Sequence, residues 1–115
     1  MLSDNIHAPD PAPQFAAHVF AALGARTRLS LLAKLSDGQP RSIAGLSTDT
    51  SLTRQAITKH LHVLENAGLV VSTKVGRTSQ FAFRPEPIEE VRAYLASVSQ
   101  QWDDALSRLR SFVER

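Results

Sequence analysis

Residues 52–70 read LTRQAITKHLHVLENAGLV, and the fold turns on how this stretch is understood. Ile57, Leu61 and Leu64 recur at helical spacing and define one apolar stripe. Ser51 stands in front as a candidate N-cap. Ala67-Gly68 supplies the stop, because glycine tolerates the left-handed backbone that ends many helices. The other face carries Thr53, Arg54, Gln55, Thr58, Lys59 and His62, with no acidic residue before Glu65. A solvated helix ordinarily mixes both signs of charge. A face of one sign points to an anionic partner, unless the clustering is chance.

The flanking segments set the context. Downstream, LVVSTKVGRTSQFAF (residues 69–83) holds two strand-forming runs, 69–73 and 78–83, on either side of a turn at Gly76. That is a hairpin with Lys74 and Arg77 at its tip. Upstream, STDTS (residues 47–51) is a polar turn. Before it, a short helix over about 42–46 is expected, with Ser42 as its N-cap. A second helix is expected over about 26–36, where Leu29, Leu32 and Leu35 repeat and Asp37-Gly38 and Pro40 end the run. A first helix is expected over about 14–23, with Phe15, Val19, Phe20 and Leu23 on one face. Pro9, Pro11 and Pro13 mark residues 1–13 as a flexible tail, leaving 14–115 as a single domain.

A last helix is expected over about 88–113. Ile88, Val91, Leu95, Val98, Trp102, Ala105, Leu109 and Phe112 alternate spacings of three and four, a heptad seam. One small domain cannot cover so long a seam alone. The first helix covers part of it, and a second copy of the chain is the obvious cover for the rest. Phe15, Val19, Val91, Leu95, Val98, Trp102 and Leu109 are therefore the expected dimer interface. Tyr94, Trp102, Phe112 and Phe20 could instead line a small-molecule pocket at that seam, although packing as core is the simpler reading.

Composition bounds the answer. The chain has 115 residues, 43% hydrophobic, which suits one domain with a real core. It has no cysteine, so disulfides and thiolate metal sites are excluded. No apolar run is long enough to span a bilayer, and the N-terminus lacks a signal-peptide pattern, so a cytoplasmic location is expected. Formal net charge is +2. From Arg26 to Arg84 there are nine Lys/Arg against three Asp/Glu, a net of +6; the remaining segments hold four against eight, a net of −4. A basic middle between acidic ends suits a polyanion.

Together these give a mostly α fold with a β-hairpin: four helices, two strands, then a long helix. A short helix, a polar turn and an amphipathic helix form a helix-turn-helix, and the basic hairpin makes it winged. In such units the second helix enters the major groove N-terminus first. Arg54 can make two hydrogen bonds to guanine, and Gln55 two to adenine. Thr53 and Thr58 can meet a base edge or a phosphate, while Lys59 and His62 lie where the backbone passes. A carboxylate on this face would be repelled by phosphates, which accounts for its absence.

The stretches FAALGARTRLSLLAKLSDGQPRSIAGLS and LTRQAITKHLHVLENAGLVVSTKVGRTSQFAF resemble the ArsR (arsenic-repressor) family of bacterial winged helix regulators, from about Phe15 to Phe83. The closing WDDALSRLRSFVE resembles a metal-free branch of it. The resemblance implies a homodimer built on the first and fifth helices, and repression by binding promoter DNA until an inducer releases it. It puts Thr53, Arg54 and Gln55 at the first reading positions, Thr58, Lys59 and His60 at the family's Ser-Lys-His, and Lys74, Arg77 and Thr78 in the wing. His60 lies between Ile57 and Leu61 on the helical wheel, so packing competes with base contact there.

The departures are informative. The short helix reads RSIAGLS, where metal-sensing relatives carry a cysteine pair, and no histidine follows His62. His60 and His62 diverge on the helix, and His7 and His18 stand alone, so no metal site and no cofactor are expected. Ala25 replaces a usual Asp and Leu29 a usual Arg; Arg26, Arg28 and Arg41 are either phosphate contacts or solvated. The carboxylate pairs Glu89-Glu90 and Asp103-Asp104 diverge by about 100° on a helix and serve no common atom, so catalysis is not expected. The expected partner is double-stranded DNA carrying an inverted-repeat operator, bound by a homodimer under a possible small-molecule inducer and away from any membrane. The competing reading is a winged-helix protein-interaction module without DNA binding, which predicts a neutral or acidic recognition face.

Overall fold

The computed structural model describes residues 11–114. Its elements are α1 (Pro11–Leu23), α2 (Arg26–Leu35), β1 (Arg41–Ser42), α3 (Ile43–Leu46), α4 (Arg54–Asn66), β2 (Val70–Val75), β3 (Thr78–Phe83) and α5 (Glu86–Val113). No helix among these residues is long and apolar enough to cross a membrane.

Of the tail expected over residues 1–13, residues 1–10 lie outside the described residues, and 11–13 form the first turn of α1. Pro11 and Pro13 read as breakers, yet proline suits a first turn, where the backbone N–H lacks an intrahelical partner anyway. The short strand β1 was not expected. Two residues carry no periodicity, and its pairing with β3 (Arg41 opposite Phe81, Ser42 opposite Gln80) is a tertiary contact. The sheet is antiparallel in the order β1-β3-β2.

The start of α4 also differs. Thr53, not Ser51, is the N-cap: its extended backbone turns the chain, and its Oγ1 accepts the Ala56 N–H at 3.0 Å. Apolar packing decides between the two. With Thr53 as cap, Leu52 precedes the helix and packs on the core that holds Ile57, a hydrophobic staple across the first turn. At the other end Gly68 has φ +76, its N–H bonds to the Glu65 carbonyl, and the Leu69 N–H bonds to the Leu64 carbonyl, a complete Schellman stop. Ser42 caps α3 as expected, accepting from the Gly45 N–H at 3.0 Å.

One core ties these elements together. Val19 of α1, Leu35 of α2, Leu46 of α3, Ile57, Leu61 and Leu64 of α4, and Leu69 beside the hairpin are all fully buried. Val91 of α5 closes the cluster, with Ile88 and Tyr94 packed against it. Val19 and Val91, expected at the dimer seam, therefore lie inside the protomer, and Phe15 is half-buried against the same core. Further along α5, Val98 is half-buried, while the larger apolar side chains are left uncovered. Leu95 is 46% exposed, Trp102 65%, Leu109 58%, and Leu106 and Val113 are likewise exposed.

In the turn after α2, Asp37 accepts from the Gln39 N–H at 3.0 Å and from Arg41 at 2.6 Å. The Gln39 N–H above all, with the Arg41 charge and hydrogen bond, holds its carboxyl below the ordinary value against an opposing desolvation.

The two candidate caps give a direct comparison. Thr53→Ala is expected to cost about 1 kcal/mol of stability and Ser51→Ala less than about 0.5 kcal/mol, as read by urea unfolding. The opposite ranking would return the cap to Ser51.

Candidate nucleic-acid interface

Burial of the Ile57–Leu61–Leu64 stripe sets the rotation of α4, and hence what it shows to solvent. Arg54, Gln55, Lys59 and His62 are exposed on one side of the helix. Thr58 is half-buried beside them, and its Oγ1 donates to the Arg54 carbonyl at 2.8 Å, so the hydroxyl keeps only acceptor capacity for a partner. Thr53 sits at the N-terminal tip, its oxygen engaged in the cap and its hydroxyl hydrogen left to give. The first turn holds no acidic residue, so the positive end of the helix is not neutralised from within.

The wing stands off the body. In β2 only Val70 is buried, and Val71 to Val75 are exposed. Val75 pairs with Thr78, so the loop is just Gly76-Arg77. Gly76 has φ +65 and, among the described residues, no non-glycine residue has a positive φ, so Arg77 does not: the pattern of a type II′ hairpin turn. Lys74 lies within the strand opposite Ser79, one step further from the tip than the sequence suggested. Lys74, Arg77 and Thr78 are all exposed.

The exposed cations of α4 and the wing carry no carboxylate partner among the described residues. The ion pairs among the described residues join Arg41 to Asp37, Arg84 to Glu86, Arg92 to Glu89 and Arg110 to Glu114. Arg54, Lys59, Lys74 and Arg77 take part in none of them. The nearby carboxylate, Glu65, accepts from the Ser72 hydroxyl at 2.7 Å, which ties the end of α4 to the root of the wing.

Other sequence candidates are placed differently. His60 is half-buried, and its Nδ1 lies 3.3 Å from Arg28 Nη1. Arg28 also donates to the carbonyls of Ala21 and Ala22, and Arg41 to the Lys34 carbonyl. Both arginines are thus engaged within the protein, while Arg26 is exposed. His18 Nε2 lies 3.3 Å from the Asn66 carbonyl. Among the described residues no three His, Cys, Asp or Glu side chains come together as a metal site would need. The contact that sequence reasoning missed is Arg28 with His60. They are 32 residues apart, and no local pattern reports such a pair.

A short helix, a turn, an amphipathic helix with a basic outer face and a projecting two-stranded wing form a winged helix-turn-helix. Residues 26–72 match the family model "Bacterial regulatory protein, arsR family". The chain is 40% identical over 79 residues to an uncharacterized HTH-type transcriptional regulator of Bacillus subtilis, YuzN, a match covering 64% of this chain and 86% of that protein. The chain belongs to the ArsR family of bacterial regulatory proteins. Among solved structures, an ArsR-like transcriptional regulator from Rhodococcus sp. RHA1 is 33% identical, with a TM-score of 0.80 over 90% of this chain and 96% of that one. HlyU from Vibrio cholerae is 25% identical, with a TM-score of 0.61 over 71% of this chain and 89% of that one. The relatives are transcriptional regulators rather than enzymes, and this ArsR-family member is a DNA-binding transcriptional regulator.

Proposed function

We propose that this ArsR-family protein is a cytoplasmic, dimeric repressor without catalytic activity, released from an inverted-repeat operator, its own promoter included, by a non-metal signal. The observation that carries the DNA reading is the set of exposed cations without carboxylate partners on the recognition helix and the wing: Arg54 and Lys59 on α4, Lys74 and Arg77 on the hairpin. In this reading Arg54 and Gln55 reach base edges from the first turn, with Thr53 and Thr58 beside them. Lys59, His62, Lys74, Arg77 and Thr78 meet sugar and phosphate, fixing register without reading sequence. His60, held at Arg28, stays behind this face and supports it.

What supports the dimer is α5. Leu95, Trp102, Leu106 and Leu109 recur along one side of a 28-residue helix and are exposed in the protomer. That much contiguous apolar surface calls for a cover, and a second α5 offers the same stripe in return. What supports a non-metal signal is the donor inventory: no cysteine in the chain, and no histidine on α5. A docking module without DNA binding would have no use for unneutralised cations on both helix and wing.

Arg54→Ala and Gln55→Ala should each relax base preference at one position per half-site by about 1–3 kcal/mol, read by selection from randomised duplexes. Unchanged preference would contradict the placement of α4. Trp102→Asp should convert the dimer to a monomer by sedimentation while leaving the protomer folded, since the indole lies outside the protomer's core. A dimer surviving both this change and Leu109→Asp would rule out the α5 seam.

A further inference from the structure

The bonds made by Arg28 join three helices, and none of them is needed to touch DNA. Arg28 lies in the first turn of α2. Its Nε donates to the Ala22 carbonyl, and its Nη2 donates to the Ala21 carbonyl at 3.1 Å. Both carbonyls belong to the last turn of α1, where acceptors lack the usual helical partner, and that of Ala21 also accepts the Gly24 N–H at 3.2 Å. Nη1 lies 3.3 Å from Nδ1 of His60, on α4. A guanidinium has donors only, so Nδ1 accepts, and the proton of the neutral imidazole sits on Nε2. Three donors in one rigid plane serve α1 and α4 together, an arrangement a lysine ammonium does not reproduce.

The place of this contact matters. Between α1 and α4 runs an open groove lined by His18, Ala21, Ala22, Arg28, Val63 and Asn66. Leucine-sized packing does not fill it; polar ties cross it. The Arg28 guanidinium, reaching from α2 to the α1 carbonyls and to His60, is one, and His18 to the carbonyl of Asn66, at the last residue of α4, is the other. α1 in turn packs along α5, the helix with the uncovered apolar stripe.

We propose that Arg28 and His60 are positioning residues for DNA reading: the guanidinium locks the middle of α4 to the end of α1, so that the presentation of Arg54 and Gln55 depends on how α1 and α5 are held. This rests on the reading that α4 contacts bases. The competing role for Arg28 is plain capping of α1, in which His60 is a bystander.

The rescue variant separates the two. Asparagine at position 60 carries an amide oxygen close to where Nδ1 lies, whereas leucine fills the space without an acceptor. The probes are a duplex selected by the wild-type protein from a randomised library, and a random duplex. His60→Leu and Arg28→Gln should each lose roughly tenfold on the selected duplex, the scale of one hydrogen bond from a charged donor, and bind the random duplex as wild type does. His60→Asn should stay within about twofold of wild type, and the His60→Leu/Arg28→Gln double variant should lose no more than either single. Imidazole nitrogen NMR of the DNA-free protein should show His60 with its proton on Nε2, and an Nδ1 signal that moves in Arg28→Gln. A His60→Leu protein that binds the selected duplex as wild type does, equal losses for His60→Leu and His60→Asn, or a proton on Nδ1 would each overturn the inference. If Arg54→Ala and Gln55→Ala leave base preference untouched on the same duplexes, reading by α4 itself fails and takes this inference with it. If they alter it while His60→Leu does not, this inference alone fails.

Discussion

Everything that faces outward on this protein depends on three side chains that face inward. Ile57, Leu61 and Leu64 are fully buried in a core shared with every other helix. Burying side chains of this size contributes about 1.5–3 kcal/mol each, more than any cap or surface ion pair in the domain. A rotation of α4 by one residue would present Thr58, His62 and Glu65 to that core and strand their polar groups without partners. The core therefore sets the angular position of Arg54, Gln55 and Lys59. The recognition face is what remains once the apolar stripe has found its place.

The same logic shows why much of the fold was legible in the sequence and some of it was not. Helical periodicity located α2, α4 and α5, and glycine located the ends at Gly68 and Gly76, because these signals are local and strong. The cap of α4 is ambiguous in the sequence because Ser51 and Thr53 are chemically alike at a helix start. What separates them is Leu52 pressing on the core beside Ile57, a tertiary fact with a faint trace in sequence. Two paired residues at Arg41 and Ser42 leave no trace at all. Val91 shares a seam with Leu95 and Trp102 by spacing, but Val19 of α1 packs into the same core and the two are buried inside the protomer.

At the interface, residue type and spacing singled out Arg54, Gln55, Lys59, Lys74 and Arg77, and the structure leaves all of them exposed. His60 carried two readings on the helical wheel. The structure sets it half-buried against Arg28, which no pattern within α4 could report. Polar contacts between helices distant in sequence are where a one-dimensional reading runs out. They are also where α1 and α4 are tied across an otherwise open groove.

The central claim is that the outer face of α4 and the wing are built for the phosphate backbone and base edges of duplex DNA. Fluorescence anisotropy of the purified protein on labelled duplex, across a salt series, tests it most directly. The account predicts saturable binding whose logarithm falls linearly with the logarithm of salt, at a slope of about −0.9 per phosphate neutralised, and a slope shallower by about 1 on Lys74→Ala or Arg77→Ala. No binding to any duplex at low salt, or binding indifferent to salt, would contradict it.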